Sequence, residues 1–348
     1  MDSQWKNFLM TEGAEFKDEI VIHFGNPDQE RAIVVNGNTM ADLSHKGLIK
    51  VEGSDAITFL QGQMTCDIHD AESGLSKLGA WCNAKGRVRI TFRVFQLGEG
   101  FYLELPNECV EETIKQLRKY ILRSKVLLRD ASQDWIRLGC SGPSIEDGLR
   151  QIFPTLPGVP DKMTHEGTFT IIRLRGIHPR FEIFGKNDAL TKLWNTLKVR
   201  TATIGAETWS ILEILSGVPE ITRATTESFV PHMLNLPEIG AVSFSKGCYT
   251  GQEVVARMQY LGKSKRHLYL ARIAGGEPPQ PGDSLWIPSE DREQHPGTII
   301  NCAPSPEGGF LILAVIAASD VRKGEIRLHA ATGPLLEFHP LPYPLLEE

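Results

Sequence analysis

The stretch from Leu78 to Leu105 constrains the fold of this chain most, because its apolar residues recur with a two-residue period. Between Ile90 and Phe95 an apolar set of residues alternates with a more polar set, which is typical of a strand whose two faces lie in different surroundings. Turn-forming residues at 83–86 and 98–100 interrupt the stretch. The sequence therefore predicts an antiparallel β-meander.

A helical period follows directly after the meander. Residues 106–123 carry apolar side chains every three or four positions, which predicts a helix with one buried stripe. Glutamates stand near its start, and Lys115, Arg118, Lys119 and Arg123 stand towards its end. Since this order complements the helix dipole, we interpret the basic cluster as a solvated helix face rather than a nucleic-acid site.

Elsewhere the patterns are shorter. After Tyr260, prolines and a glycine at 278–282 break the chain, and short apolar runs separated by turn residues follow. This texture predicts a small antiparallel β-barrel or sandwich, with a domain boundary near 262–266. Strands are also predicted at 31–35, 47–51 and 240–244, and helices at 56–62, 189–197, 207–215 and 252–258.

Length and charge limit the possible functions. A chain of 348 residues is too long for one typical core and suits two or three domains. Its net charge of -6 makes a general attraction to nucleic acid unexpected, so any such contact needs a local basic patch. No apolar run is long enough to cross a bilayer, and residues 1–16 lack the order of a secretory signal. We therefore predict a cytoplasmic protein with no membrane partner.

The chain has six cysteines, and no two of them stand at a CxxC spacing. Zinc-ribbon, iron–sulfur and thioredoxin-like patterns are missing, so no metal site is predicted. A disulfide framework is not expected in a large cytosolic protein. With the exception of Cys248, we interpret the cysteines as small buried apolar residues. They are Cys66, Cys82, Cys109, Cys140, Cys248 and Cys302.

Cys248 belongs to the segment Lys246–Glu253, whose sequence KGCYTGQE joins a predicted strand to a predicted helix. Gly247 and Gly251 permit a tight turn and a close approach to the backbone, and a helix N-terminus favours an anion. A nearby ammonium and a helix N-terminus both favour the thiolate form of a cysteine. Cys248 is therefore a candidate reactive thiol with Lys246 as its activating cation, and a purely structural role stays open.

Two spacings in the same segment have structural interpretations. Thr250 and Glu253 have the spacing of a capping box, which would satisfy amides at the start of the helix. Arg257 follows Glu253 by four residues, which permits an ion pair along the helix. For these residues a ligand-binding role and a structural role both remain open.

The segment Lys246–Arg257 resembles the KGCYxGQE(x)xAR signature of the YgfZ-type folate-binding proteins, relatives of the aminomethyltransferase (T-protein) of the glycine cleavage system. Residues 51–65, 82–88 and 228–236 are similar to further segments of that family. The resemblance implies an α+β, three-part aminomethyltransferase-like fold, with two mixed α/β domains and a C-terminal antiparallel β-barrel. The predicted domains are 1–135, 136–262 and 263–348.

The resemblance also implies a ligand, tetrahydrofolate or a derivative. A folate has a flat pterin, an aromatic spacer and an anionic glutamate tail, so its site needs apolar walls, a few polar groups and a cation. Tyr249 is a candidate wall, and core packing is an equal alternative for it. The residues assigned to the folate site are Gly247, Tyr249, Gly251, Gln252, Glu253 and Arg257.

One departure separates this chain from true aminomethyltransferases, which carry an acidic pair on the strand after the turn at Lys85 and Gly86. Here that strand reads Arg89-Ile90-Thr91-Phe92-Arg93, without a carboxylate. An acid or base acting on a folate nitrogen is expected at this point, so its absence near Thr91 argues against glycine-cleavage chemistry. Whether the chain is an enzyme stays open. His232 also stands where the family often has glutamine.

The resemblance motivates a leading hypothesis: a tetrahydrofolate-binding accessory protein for the assembly or repair of iron–sulfur clusters in target enzymes, including tRNA-modifying ones. Its partners would be folate and iron–sulfur enzymes or assembly proteins, with any tRNA contact indirect. The first alternative is a folate-dependent aminomethyl or methyl transferase. The second is a direct tRNA-binding module that uses Lys263, Lys265, Arg266 and His267, for which a charged linker is the structural alternative.

Overall fold

The computed structural model describes residues 1–262, 264–287 and 297–345. The chain forms two compact units, each assembled from separate segments of sequence. The division into three contiguous domains stays a prediction beside this division into two. The first unit comprises Met1–Ala56, His69–Lys77 and Arg93–Leu212, and the second comprises Ile57–Ile68, Leu78–Phe92 and Glu213–Glu348.

Helices and strands are interspersed along the described chain, as an α+β fold requires. The helices are α1 Ser3–Thr11, α2 Pro27–Ile33, α3 Ala56–Gln63, α4 His69–Glu72, α5 Val110–Arg118, α6 Ile145–Arg150, α7 Asn187–Leu197, α8 Ala206–Leu215, α9 Gln252–Leu261 and α10 Ala318–Val321. The strands are β1 Glu15–Lys17, β2 Ile20–His23, β3 Thr39–Asp42, β4 Lys46–Glu52, β5 Lys77–Cys82, β6 Val88–Leu97, β7 Gly100–Pro106, β8 Leu127–Asp130, β9 Ile136–Ser141, β10 Met163–Glu166, β11 Phe169–Leu174, β12 Arg180–Gly185, β13 Ala202–Ile204, β14 Arg266–Ile273, β15 Leu285–Trp286, β16 Thr298–Pro304, β17 Phe310–Ala317, β18 Arg327–Leu328 and β19 Leu336–His339.

The larger sheet of the first unit has the strand order β10-β11-β12-β9-β3-β13. Neighbouring strands are antiparallel, except that β13 lies parallel to β3. Helices α1 and α7 each bury one apolar face, with Trp5 on the first helix and Trp194 on the second. Both rings join Phe181 of β12 in one core cluster. Each such side chain stabilises the unit by roughly 1.5–3 kcal/mol through burial.

The meander predicted for 78–105 is confirmed. In the first unit β7 pairs antiparallel with residues 93–97 of β6 and with β4, and β4 pairs with β8. Residues 88–92 of β6 belong to the second unit, in which β5 is their neighbour. The two-residue period therefore located these strands correctly.

The second unit ends in antiparallel strands, as the texture after Tyr260 predicts. Four strands form a sheet of order β16-β17-β14-β19, and β15 pairs with β18. Their apolar sides meet in a cluster that includes Ala271, Ile299 and Ile312. Within the described residues the sheet has two edges, β16 and β19, so the predicted closed barrel is not confirmed.

Most predicted helices are confirmed, but the one predicted at 106–123 is shorter. It begins as a 3₁₀ turn, Asn107–Cys109, and continues as α5, which ends at Arg118. The strand predicted at 31–35 is wrong, because α2 covers most of it. Asn26 caps this helix by accepting the N–H of Gln29 at 3.1 Å, and Pro27 occupies a first-turn position that suits proline.

The strand predicted at 240–244 is also wrong. Gly240 has a φ of +70°, which ends an extended run. The segment is held instead by isolated hydrogen bonds: Ser243 N–H donates to Thr65 O at 2.9 Å, and Thr65 Oγ1 donates to Ala241 O at 2.7 Å. Periodicity over so few residues does not distinguish such a segment from a strand.

Strands β12 and β7 bring two carboxyl groups together inside the first unit. Burial raises the pKa of Glu182 well above its usual range, and the neighbouring charge of Glu104 raises it further. Arg137 lies against the pair, with Nη1 3.6 Å from Glu104 Oε1, while its Nη2 donates to the carbonyl of Lys46. Two like charges at close range cannot both ionise readily, so Glu182 holds a proton.

Replacing Glu182 with glutamine is expected to remove a pH dependence of stability. A glutamate whose pKa is raised by folding stabilises fully below its unfolded pKa, and this contribution is lost as the pH rises through the folded pKa. Glutamine is neutral at every pH. In urea unfolding between about pH 5 and pH 7, the wild-type protein should lose up to about 1.4 kcal/mol per pH unit relative to the variant. Parallel curves would mean that Glu182 is ionised in the folded protein.

Candidate functional site

Lys246 is a buried cation in the second unit, and its ammonium group is fully engaged. Nζ donates to the carbonyl oxygens of Gln61 at 2.8 Å, Met64 at 2.7 Å and Cys66 at 2.9 Å. Helix α3 ends at Gln63, so the cation lies at a helix C-terminus, where positive charge is favourable. Sequence reasoning missed these acceptors, because backbone carbonyls leave no residue-type signal.

This geometry bears on the predicted role of Lys246 as the activator of Cys248. An ammonium has three N–H donors, and all three are directed at carbonyl groups of residues 61–66. Burial lowers the pKa of Lys246 to about 8, against the opposing effect of Cys66 and Asp67. The side chain therefore fastens the start of the loop to the end of α3, and the activating role stays a prediction.

Cys248 differs from the other cysteines in its exposure. All six cysteines lie within the described ranges, and Cys248 is exposed, whereas Cys302 is half-buried and the others are buried. Burial raises the pKa of the Cys82 and Cys140 thiols to about 12. Because the thiolate is the nucleophile, those two thiols are inert near neutral pH. Cys248 is thus the most accessible thiol of the chain.

Gly251 fixes the loop against the turn at 83–86. Its φ is +84°, and a β-carbon there would lie 2.4 Å from Asn83 O. Gly86 has a φ of +70°, and its β-carbon would lie 2.9 Å from the β-carbon of Val254. Two glycine-containing segments, distant in sequence, are therefore packed backbone to backbone. Gly247 has no such neighbour within 4 Å.

Alanine at Gly251 is therefore expected to destabilise the protein far more than alanine at Gly247. The first change combines a left-handed backbone, which costs about 1–2 kcal/mol, with an overlap against a backbone oxygen. We expect a loss of about 2–4 kcal/mol in the free energy of unfolding for Gly251→Ala and under about 0.5 kcal/mol for Gly247→Ala. Urea unfolding of both variants checks this. Equal losses would contradict the packing of Gly251 against Asn83.

The start of α9 does not have the predicted capping box. Its N-cap position is Gly251, without a side-chain cap, and Thr250 Oγ1 donates instead to Gln63 Oε1 at 3.4 Å. The reason is the left-handed turn at Gly251, which places this glycine, rather than Thr250, at the N-cap. The ion pair along the helix is confirmed, with Arg257 Nη2 2.8 Å from Glu253 Oε1, and both side chains are exposed.

The remaining assigned folate residues differ in accessibility. Tyr249 is buried, burial raises its pKa, and its ring centroid lies 5.3 Å from Lys246 Nζ. Gln252 is half-buried on the first turn of α9. The loop thus combines a buried aromatic ring, a partly accessible amide and an exposed ion pair beside an exposed thiol.

Comparison with known proteins identifies the family. Residues 13–239 match the family model described as the GCVT N-terminal domain. A tRNA-modifying protein YgfZ from Colwellia psychrerythraea is 31% identical over 309 residues, which are 89% of this chain and 94% of the relative. This chain belongs to the YgfZ family. A YgfZ from Yersinia pestis is 29% identical over 310 residues, with the same two coverages of 89% and 94%.

A solved structure shows the wider fold relationship of this YgfZ-family chain. The aminomethyltransferase T of the glycine cleavage system from Bartonella henselae superposes with a TM-score of 0.75, covering 97% of this chain and 96% of the other. Sequence identity is 18%. The chain therefore has an α+β aminomethyltransferase-like fold, and this likeness speaks for the fold alone.

The strand that lacks the acidic pair has a structural use for its polar residues. Thr91 Oγ1 donates to Pro219 O at 3.0 Å and accepts the N–H of Ile221 at 3.0 Å. Arg89 Nε is 2.7 Å from Glu227 Oε1, and its guanidinium lies 4.8 Å from the centre of the Trp81 ring. In this YgfZ-family chain Thr91 thus ties β6 to residues 219–221.

His232 contributes to the placement of α9, which the sequence did not reveal. Its Nε2 lies 3.1 Å from Gln259 Oε1, and burial lowers its pKa. A neutral ring that donates through Nε2 fits both observations. Its ring centroid is 6.1 Å from that of Phe244, whose ring lies 6.2 Å from that of Tyr260.

The basic run after α9 is only partly available as a contact surface. Lys263 lies outside the described residues, and Lys265 is exposed. Arg266 and His267 are half-buried at the start of β14, and His267 Nε2 lies 2.9 Å from Ser264 O. Burial lowers the pKa of Arg266. Half of the described run therefore serves the strand rather than solvent.

Two cavities lie away from the loop. One of about 500 Å³ in the first unit has an acidic lining that includes Asp18, Glu19, Asp130 and Asp134. The other, of about 570 Å³, is formed by Tyr269 and residues 339–345. Residues 246–257 line neither. Within the described ranges, no group of three or more His, Cys, Asp and Glu side chains is arranged to bind a metal, and no helix is long and apolar enough to span a membrane.

Proposed function

We propose that this YgfZ-family protein binds tetrahydrofolate or a derivative and acts as an accessory factor in tRNA modification, by assembling or repairing the iron–sulfur clusters of target enzymes. The observation that carries the proposal is Cys248. It is an exposed thiol on a loop that Lys246 and Gly251 hold at two points. Thiolates are the usual protein ligands of iron–sulfur clusters, so such a thiol suits contact with a cluster or with its cysteine ligands.

The groups around the loop fit the chemistry of a folate. Tyr249 supplies an aromatic ring, Gln252 supplies an amide for the edge of the pterin, and Arg257 supplies an exposed cation for the glutamate tail. Gly247 and Gly251 allow a ligand to approach the backbone, and Glu253 orients Arg257. A reduced folate supplies one-carbon chemistry at its ring nitrogens when bound, whereas these residues bind and orient it.

Arg257→Gln is expected to weaken the binding of tetrahydrofolate by about tenfold, because one charge-assisted contact contributes about 1.5 kcal/mol. Binding is followed by tryptophan fluorescence. Arg150→Gln is the matched control, because Arg150 also pairs with a glutamate four residues away, at 2.6 Å, on an exposed helix face. Equal affinities of both variants and the wild-type protein would remove Arg257 from the site.

A folate-dependent transferase of an aminomethyl or methyl group is the second candidate, and the aminomethyltransferase-like fold favours it. Against it stands the strand 89–93, which has no carboxylate. A glycine-cleavage assay with purified partner proteins separates the two functions. Robust formation of methylenetetrahydrofolate would support the transferase over the accessory factor.

Three finer features belong to the same proposal. We propose a cytoplasmic location, a division into domains at 135/136 and 262/263, and closure of the C-terminal strands into a barrel. The antiparallel sheet β16-β17-β14-β19 supports the last of these. Limited proteolysis tests the boundaries, since cleavage is expected to concentrate in exposed connections between domains.

A further inference from the structure

A stretch of the first unit is strongly basic although the whole chain is acidic. Residues 113–129 contain six cations and no aspartate or glutamate, in a protein of net charge -6. The sequence alone favours a solvated helix face for the first cations of this stretch. The structure shows that α5 ends at Arg118, so the later cations lie on the connection to β8. The six are Lys115, Arg118, Lys119, Arg123, Lys125 and Arg129.

This connection, residues 119–126, is fixed to the body of the unit. The N–H of Lys125 donates to Asp55 Oδ2 at 2.7 Å, and Arg118 Nη2 donates to Leu128 O at 3.0 Å. Gly53, at a φ of +121°, allows a close approach, because a β-carbon there would lie 2.1 Å from Lys125 O. The cations are thus carried on a positioned loop rather than on a free tail.

Three of the cations are available to a partner. Within the described residues, Lys119, Arg123 and Lys125 make no ion pair with a carboxylate, whereas Arg129 pairs with Asp134 at 2.5 Å. Lys119 Nζ donates to the neutral amide of Gln116. The local positive charge is therefore not cancelled, apart from the influence of the Asp55 carboxylate beside Lys125.

Exposed apolar groups lie between these cations. Leu122 is 87% exposed, Leu127 is 55% exposed and Tyr120 is 36% exposed. An exposed aromatic ring among cations is the combination by which proteins bind single-stranded nucleic acid, with charge on the phosphates and the ring against a base. A membrane surface fits less well, because one prominent leucine gives little apolar area for insertion.

We propose that residues 118–127 form an RNA-docking surface, in which Lys119, Arg123 and Lys125 contact phosphates and Tyr120 contacts a base. The proposal goes beyond the proposed function, which leaves the tRNA to the target enzyme, and it does not depend on Cys248 or on folate. It also places the contact away from the run 263–267, whose Arg266 and His267 are half-buried.

The test measures binding of the full-length protein to an unmodified tRNA transcript by fluorescence anisotropy at several salt concentrations. The variant Lys119→Gln/Arg123→Gln/Lys125→Gln is expected to bind at least about tenfold more weakly at low salt, with the slope of log affinity against log salt reduced by about 2. The matched control is Lys17→Gln/Lys162→Gln/Lys192→Gln, which removes the same charge from exposed lysines elsewhere in the unit. It should bind nearly as the wild-type protein does.

Further arms make the result decisive. Tyr120→Ala is expected to weaken binding without changing the salt slope, because a stacking contact displaces no counterions. Equal weakening by the loop and control variants would overturn the proposal, since it would mean attraction by overall charge. Absence of tRNA binding by the wild-type protein, or loop-dependent binding to anionic phospholipid vesicles instead, would also overturn it. Unfolding midpoints confirm that each variant is folded.

Discussion

Cells that rely on Cys248→Ser are expected to lose nearly all of the iron–sulfur-dependent tRNA modification that the wild-type protein supports. The reason is chemical: serine keeps the size and polarity of the side chain but has no accessible thiolate. The side chain is exposed, so the substitution should not disturb the fold. The measurement compares modified nucleosides in tRNA from cells that lack a YgfZ-family protein and carry either version.

Cys302→Ser is the matched control for this experiment. Cys302 is half-buried, and its Sγ donates to Pro279 O at 2.9 Å, a bond that a hydroxyl can replace. This variant should support modification as the wild-type protein does, at equal protein abundance. Full activity of Cys248→Ser would contradict an essential thiol and leave only folate binding in the proposal.

Lys246→Met is expected to lower the free energy of unfolding by about 3–5 kcal/mol. Methionine fills similar space, but the carbonyl groups of Gln61, Met64 and Cys66 lose their shared donor, and a buried group without a partner costs about 1–3 kcal/mol. Lys246→Arg retains donors and should lose less. A loss below about 1 kcal/mol for methionine would contradict the fastening role of Lys246.

Thiol chemistry distinguishes this role from activation of Cys248. The rate of alkylation of Cys248 as a function of pH reports the pKa of its thiol, with Cys248→Ser as the blank. If Lys246 only positions the loop, Lys246→Arg should leave the midpoint of that profile unchanged. A midpoint that moves with the nature of the cation would instead support the predicted activation by Lys246.

Local patterns in the sequence located much of the fold. The alternation in 78–105 predicted β5 to β7, and the apolar stripe after it predicted α5, because neighbours in sequence decide such elements. The ion pair of Glu253 with Arg257 followed from helical spacing alone. At 31–35, however, β-branched residues suggested a strand, and the cap at Asn26 with Pro27 decided for a helix.

The candidate site was only half visible in the sequence. The loop and its exposed cysteine could be named, since both rest on residue types. The partners of Lys246 are backbone oxygens far away in the chain, and the contact of Gly251 with Asn83 is likewise backbone to backbone. Such contacts depend on tertiary packing, which residue types do not encode. They change Lys246 from a candidate activator into a residue whose observed contacts are structural.

The central claim is that this YgfZ-family protein binds a reduced folate independently of its thiol. Titration of the full-length protein and of Cys248→Ser with tetrahydrofolate, followed by tryptophan fluorescence, tests it most directly. The account predicts saturable binding with one site and equal affinities for the two proteins. No saturable binding by the folded wild-type protein would contradict it.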